Sequence, residues 1–162
     1  MSKEKKEAVV STMPVIALRG LTVFPNVLIH FEVARDASDK ALEEAITAGS
    51  SVFLVGQKDI SVEAPDQKDL YAVGTISNIR QILRMPGDNV RVMVEGQKRG
   101  RLLQVQRKDP YLEAEVQEIE EGPAPNSTPR VEALMRSTYE LFQHYAELAP
   151  KISPDLLVHV LA

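Results

Sequence analysis

The stretch "PVIALRGLTVFPNVLIHFEV", residues 14–33, decides how this chain reads. Two apolar runs, Pro14 to Leu18 and Leu21 to Pro25, are separated by Arg19-Gly20. An alternating segment follows. Val27, Ile29, Phe31 and Val33 share one face, and Leu28, His30 and Glu32 share the other. That period of two predicts a strand buried mainly on one side. Arg19-Gly20 admits two readings. One is a ligand loop, with Arg19 for an anion and Gly20 for close backbone approach. The other is a corner between two strands, with Gly20 permitting the bend and Arg19 held by a carboxylate or by backbone carbonyls.

Downstream, "RDASDKALEEAITAGS" (35–50) predicts a short helix. Ser38 is the expected N-cap, Asp39 suits the first turn, Ala41, Leu42, Ala45 and Ile46 form a stripe, and Gly49 ends it. "SVFLVGQ" (51–57) reads as a strand, "DISVEAPDQKD" (59–69) as an acidic loop, and Leu70 to Leu83 as a β-rich stretch in which Gly74 suggests a bulge or bend. "MPGDN" (85–89) has proline and glycine where a type II turn needs them, so Val90, Val92 and Val94 return on one face. Gly96 is expected to interrupt the chain, with another strand starting near Arg101. Leu112, Ala114 and Val116 then alternate with Glu113, Glu115 and Gln117.

Residues 1–12 read as a flexible polar leader and 13–119 as a β-rich lobe. "EEGPAPNSTP" begins a linker, 120–128. From 129 a helical lobe starts, with Thr128 as N-cap and Pro129 at the first helical position. Val131, Leu134, Met135, Leu141, Phe142, Tyr145 and Leu148 keep helical spacing, and Ser153-Pro154 repeats the start signal near the end. A helix stopping after about two turns is marginal, so the chain is expected to be a fragment with its helical lobe truncated. The fold class is α+β.

Composition narrows the chemistry. The chain has 162 residues, 44% hydrophobic and 26% charged, with no Trp and no Cys. Disulfides and thiolate metal sites are excluded, and a reducing compartment fits. The net charge of −4 gives no general attraction to nucleic acid or anionic membrane. No apolar run reaches the roughly 20 residues of a spanning helix. Lys3, Lys5 and Lys6 resemble the start of a signal peptide, but Glu4 and Glu7 interrupt them and no small-residue cleavage site follows. His30, His144 and His159 lack ligand spacing. Neither G-x-x-x-x-G-K-[ST] nor G-x-S-x-G occurs, and nothing in the sequence pairs a serine with a lysine. From Arg80 to Lys108 there are eight basic and two acidic residues, and from Asp109 to Glu121 six acidic and none basic. Without interleaved aromatics to stack on bases, cross-strand ion pairs are favoured over a nucleic-acid stripe.

"MPVIALRGLTVFPNVLIHFEVARDASDKALEEAI" (13–46) resembles the start of the N-terminal domain of the Lon ATP-dependent protease family. The resemblance continues through "VFLVGQKDISVEAPDQKDLYAVGTISNIRQILRMPGDNVRVMVEGQKRGRL" (52–102), where Gln-Lys-Asp, Val-Gly-Thr, Leu-x-x-Pro-x-Gly and Val-Glu-Gly-x-x-Arg fall in family order. Many relatives have proline where Ala17 and His30 stand. A proline at 30 would suit a free strand edge or a bulge. The resemblance implies a β-rich lobe of the kind called PUA-like, then a helical lobe. It also implies a parent that continues into an ATPase using ATP and magnesium and a serine-lysine endopeptidase, in the cytoplasm. This chain would have no catalytic, cofactor-binding or metal-binding residues of its own. Its expected role is to capture unfolded, damaged or degron-bearing proteins and to support hexamer assembly, with no specific nucleic-acid or membrane partner. A structural oligomerisation module and a freestanding Lon-N-like adaptor are the alternatives. A capture surface needs exposed apolar side chains that adapt to many partners. The candidates are Leu83, Met85 and Pro86 at the hairpin tip, and Leu21, Val23, Phe24 and Pro25 at the corner after Gly20.

Overall fold

The computed structural model describes residues 9–33, 36–49, 51–85, 90–120 and 128–149. The chain divides into two compact units, Met1–Glu121 and Gly122–Ala162.

Among the described residues, the first unit contains six strands and one α-helix: β1 (Val10–Leu18), β2 (Leu28–Val33), α1 (Asp36–Thr47), β3 (Val52–Gly56), β4 (Val73–Arg84), β5 (Val90–Arg107) and β6 (Glu113–Glu118). A short 3-10 turn, Gln67–Asp69, precedes β4. The sheet order is β2-β5-β4-β3-β1-β6, and β6 pairs again with β5. Five strands therefore close into a barrel, β1-β3-β4-β5-β6, and β2 lies outside the ring on the first half of β5. Among the described strands only β1 and β3 run parallel, through Val15–Leu18 against Phe53–Gly56. The crossover between them carries α1, as parallel neighbours require.

Two apolar cores result. One lies between α1 and the sheet and collects Ile16, Leu18, Val33, Ala41, Leu42, Ala45, Val52, Leu54, Val90, Val92 and Val94. The other collects Met13, Val15, Ala17, Phe53, Val55, Ile76, Leu102, Ala114 and Val116. β1 serves both, because successive side chains point to opposite faces.

β5 is one strand of 18 residues, not two. The expected break at Gly96 is instead a bulge. Ile76 pairs with Lys98 and Ser77 with Gly96, leaving Gln97 as the extra residue. A single inserted residue exchanges the two faces of a strand. Val90, Val92 and Val94 thus feed the helix-side core, and Leu102, at the same parity, feeds the other. Further register shifts leave Arg80 extra on β4, and Leu103 and Gln106 extra on β5. Gly74 is not at a bulge. It pairs with Gly100, and its missing Cβ leaves room for Phe53, whose Cζ such an atom would approach to 2.7 Å.

Three other details differ from expectation. Residues 10–12 of the expected leader are strand, because Val10, Ser11 and Thr12 pair with Gln117, Val116 and Glu115. Ser38 is a buried residue inside α1, which begins at Asp36, so it is not the cap. Ile46 is 51% exposed, while Ala41, Leu42 and Ala45 bury the helix. Gly49, at φ 59°, ends it in the left-handed region.

Basic β5 meets acidic β6 through Lys98–Glu118 at 2.7 Å and Arg107–Glu113 at 3.0 Å. Arg91 reaches Glu32 of β2 at 2.9 Å, and Arg84 reaches Glu43 of α1 at 2.6 Å. The nearby Asp39 and Glu43 carboxylates hold the Arg84 pKa above its ordinary value.

The second unit contains α2 (Pro129–Leu148). Thr128 accepts a hydrogen bond from the Val131 N–H at 3.3 Å, and Pro129 stands in the first turn. Val131, Leu134, Met135, Tyr139, Leu141, Tyr145 and Leu148 are all exposed. Among the described residues no helix is long and apolar enough to cross a membrane.

Candidate functional site

The corner after β1 is built by backbone. Gly20 takes φ 65° and Asn26 takes φ 60°, both left-handed values that suit glycine and asparagine. The loop is tied to the middle of β5, where the Asn26 N–H donates to the Gly96 carbonyl at 2.9 Å and the Gly96 N–H donates to the Val27 carbonyl at 3.0 Å. The Phe24 carbonyl fills the space where a Gly96 side chain would stand. From below, the buried Thr75 hydroxyl donates to the Val23 carbonyl at 2.6 Å.

This anchoring sorts the candidates. Val23 is 5% exposed and belongs to the helix-side core, so it cannot touch a partner and is withdrawn as a contact residue. Alternation places its side chain inward while Phe24, one residue on, is 55% exposed. Leu21 is half-buried against the same core, and Pro25 is half-buried at the loop's end. Arg19 meets a backbone carbonyl, donating to Val62 at 3.2 Å. That supports the corner over the anion site, although the bond is exposed.

At the other end of the ladder, Leu83 is 47% and Met85 45% exposed. Pro86 and the rest of the expected turn lie outside the described residues, but Arg84 pairs with Val90, so β4 and β5 do form the hairpin.

The outer face of β2, β5 and β4 is not blank. Cross-strand pairing aligns Leu28 with Glu95, His30 with Met93 and Gln81, and Glu32 with Arg91 and Leu83. His30, Gln81, Leu83, Arg91 and Met93 line one shallow groove, and Leu28 is 58% exposed beside it. From Gly96 to Val90 the ladder spans about 20 Å at roughly 3.3 Å per residue. Leu83 therefore shares one face with Leu28, His30 and Met93, whereas the corner group lies on the helix-side face of β5, with Val23 in that core and the Phe24 carbonyl over Gly96. Leu28, His30 and Met93 were not among the expected contact residues. The signal for two was present in the sequence, since Leu28 and His30 already fell on the face opposite Ile29 and Phe31.

A second groove separates β1 from β2. Ile16, Leu18, Arg19 and Leu21 form one wall, and Phe31, Glu32 and Val33 form the other. A third hollow lies by the acidic loop, where Asp66 pairs with Lys108. The hydrogen bond from Lys108 is the chief reason that the Asp66 carboxyl is held below its ordinary range. Asp59 is held low by the Ser61 hydroxyl and N–H, at 2.6 and 2.9 Å. Among the described residues no three His, Asp or Glu side chains gather as a metal set.

Known proteins share this fold. Residues 12–162 match the family described as the ATP-dependent protease La (LON) substrate-binding domain. A Lon protease of Clostridium acetobutylicum is 41% identical over 155 residues, covering 96% of this chain and 19% of the relative. Lon protease 1 of Bacillus subtilis is 35% identical over 155 residues, again 96% of this chain and 19% of the relative. This chain thus spans about a fifth of the length of such relatives. Among solved structures, the N-terminal domain of Mycobacterium avium complex Lon protease superposes with a TM-score of 0.67 at 17% identity, covering 93% of this chain and 74% of that one. A Lon N-terminal domain protein from Xanthomonas campestris gives 0.61 at 18% identity, covering 80% and 72%. With the family matched over nearly its whole length, the chain belongs to the Lon protease substrate-binding domain family.

Proposed function

We propose that this domain captures unfolded, damaged or degron-bearing polypeptides for a Lon-type protease and supports assembly of its hexamer. In this reading the ATP- and magnesium-dependent motor and the serine-lysine endopeptidase reside elsewhere in the cytoplasmic parent protein, and the domain itself catalyses nothing. The β-rich lobe is the PUA-like platform, and α2 opens a longer helical lobe. Specific nucleic-acid and membrane partners have no part in it.

One observation carries the capture role. Leu28, Leu83 and Met85 are 45–58% exposed, with Leu28 and Leu83 on the outer face of one ladder and Met85 directly after β4, and Phe24 is 55% exposed at the separate corner. An unfolded client differs from a folded protein chiefly by exposed apolar side chains, and such a face meets them weakly and with little discrimination. Met85 adds a flexible, polarizable side chain. The test is titration of a labelled, carboxymethylated unfolded protein into wild type, Met85→Ser and Phe24→Ser. The expected result is weaker binding by each variant, about threefold or more. Unchanged affinity in folded variants would remove this site.

A structural module is the second reading, favoured by the apolar residues that α2 exposes. Sedimentation velocity over a range of concentrations separates the two. Self-association without client binding supports the module, and client binding by a monomer supports capture.

A further inference from the structure

Among the described residues β2 is an edge strand, bonded to β5 on one side and to nothing on the other. Which of its backbone groups face outward follows from the bond of the Gly96 N–H to the Val27 carbonyl. That bond makes Val27 a hydrogen-bonded partner of β5. Since antiparallel pairs alternate, Ile29, Phe31 and Val33 also bond inward to Val94, Val92 and Val90, opposite which they lie. The N–H and C=O groups of Leu28, His30 and Glu32 therefore point away from the sheet. Among the described residues none of these groups has a protein partner.

Exposed edges are usually blunted by lysine, proline, a bulge or a covering element. "LIHFEV" has no lysine and no proline, and its single charge, Glu32, is held by Arg91 of the strand behind it. What stands in front of the edge is the groove walled by Ile16, Leu18, Arg19 and Leu21 of β1 and its corner. Its cavity is about 170 Å³. β1 and β2 are not paired with each other in any described register.

We propose that an extended segment of unfolded polypeptide adds to the free edge of β2 as a further strand. Its backbone bonds to the outward groups of Leu28, His30 and Glu32. Alternate side chains fall on two sides, as the pleat requires. Those opposite Phe31 and Val33 enter the groove beside Leu18 and Leu21, and those opposite His30 join Met93 on the outer face. The groove selects the occupant. A groove of this size takes the alternate side chains of one extended chain. Backbone pairing also explains how one site accepts many sequences, since every residue except proline carries the same donor and acceptor.

This inference deepens the capture reading and rests on it. The probes are an eight-residue peptide of alternating valine and lysine, and two versions N-methylated at alternate backbone nitrogens, one for each register. The carboxymethylated unfolded protein is run beside them. One methylated peptide is expected to bind at least tenfold more weakly than the parent peptide, while the other, methylated on its outer edge, binds nearly as well. His30→Pro removes the central outward donor and leaves the β5 ladder intact, because the His30 N–H does not bond to β5. It should weaken the parent peptide by a similar factor, whereas Met85→Ser should not. Equal binding of all three peptides to wild type overturns strand addition and needs no variant to fold. Loss of unfolded-protein binding in Met85→Ser but not in His30→Pro also overturns it, while leaving capture standing. If wild type binds neither the unfolded protein nor the peptides, the capture reading itself fails. A peptide-free dimer abolished by His30→Pro would assign the edge to a second copy and overturn the proposal.

Discussion

Gly74 and Gly100 stand opposite each other on β4 and β5, and the ring of Phe53 occupies the space their side chains would take. A Cβ on Gly100 would lie 2.9 Å from Phe53 Cε2 and 2.6 Å from Val116 Cγ1. A Cβ on Gly74 would strike the Leu54 carbonyl as well as the ring. Phe53 and Val116 are both fully buried, so the pair of glycines sets how closely β4 and β5 can wrap the barrel core.

The two glycines should therefore fail differently. Gly100→Ala meets only side chains, and should cost about 2 kcal/mol. Adding Val116→Ala or Phe53→Leu should recover part of that loss. Gly74→Ala meets backbone, and should cost about 3 kcal/mol with no recovery from Phe53→Leu. Urea denaturation of the singles and doubles measures both couplings. Equal rescue at the two positions would contradict this account.

The loop that presents Phe24 hangs from Thr75 and Gly96. Thr75→Val leaves the Val23 carbonyl buried without its donor, and should cost about 1–2 kcal/mol. Gly96→Ala should displace the Phe24–Asn26 backbone outright. Both variants are expected to speed amide exchange at Asn26, whose N–H bonds to Gly96. Exchange left unaltered in Gly96→Ala would mean that the loop is anchored elsewhere.

Gln57 matters more than Arg19 for the acidic loop. The Gln57 side chain amide donates to the carbonyls of Asp59 at 2.5 Å and Val62 at 2.6 Å, and the residue is 5% exposed. Gln57→Leu should cost about 2 kcal/mol. Arg19→Ala removes one exposed bond to the same Val62 carbonyl and should stay within about 0.5 kcal/mol. Thermal melts of the two variants decide the order.

Acid should act on this loop through Asp59 and Asp66, whose folded pKa values are lowered. A carboxyl with a lowered folded pKa contributes stability above its ordinary range. That contribution is lost as pH falls through the ordinary value towards the folded one. An NMR titration of the two carboxyls is expected to give midpoints below the ordinary range. Ser61→Ala should raise the Asp59 midpoint alone, and Lys108→Ala the Asp66 midpoint alone.

Local features were legible where one face or one end decides them. The alternation through Val33, the α1 stripe of Ala41, Leu42 and Ala45, the Gly49 stop and the Thr128-Pro129 start all depend on neighbours within a turn or a pleat. The sequence left Arg19-Gly20 as a ligand loop or a corner, and the left-handed Gly20 with the Arg19 bond to Val62 favours the corner. Sequence spacing could not say that Gly96 sits inside a continuous strand, because a bulge shows only as a slip against a partner. Nor could it separate Val23 from Phe24, since two adjacent apolar residues in a loop look alike until Thr75 and Gly96 fix which one turns inward.

What the sequence determined by itself was most of the elements, the buried face of β2, most of the buried stripe of α1 and the family to which they belong. Tertiary structure decided the closure of β6 onto β5, the passage of β5 between two cores, and the isolation of β2 at an open edge. The physical reason is common to all three. Strand pairing is made by backbone groups that every residue shares, between segments far apart in the chain, so which edge is satisfied and which is left open appears only when the sheet is assembled.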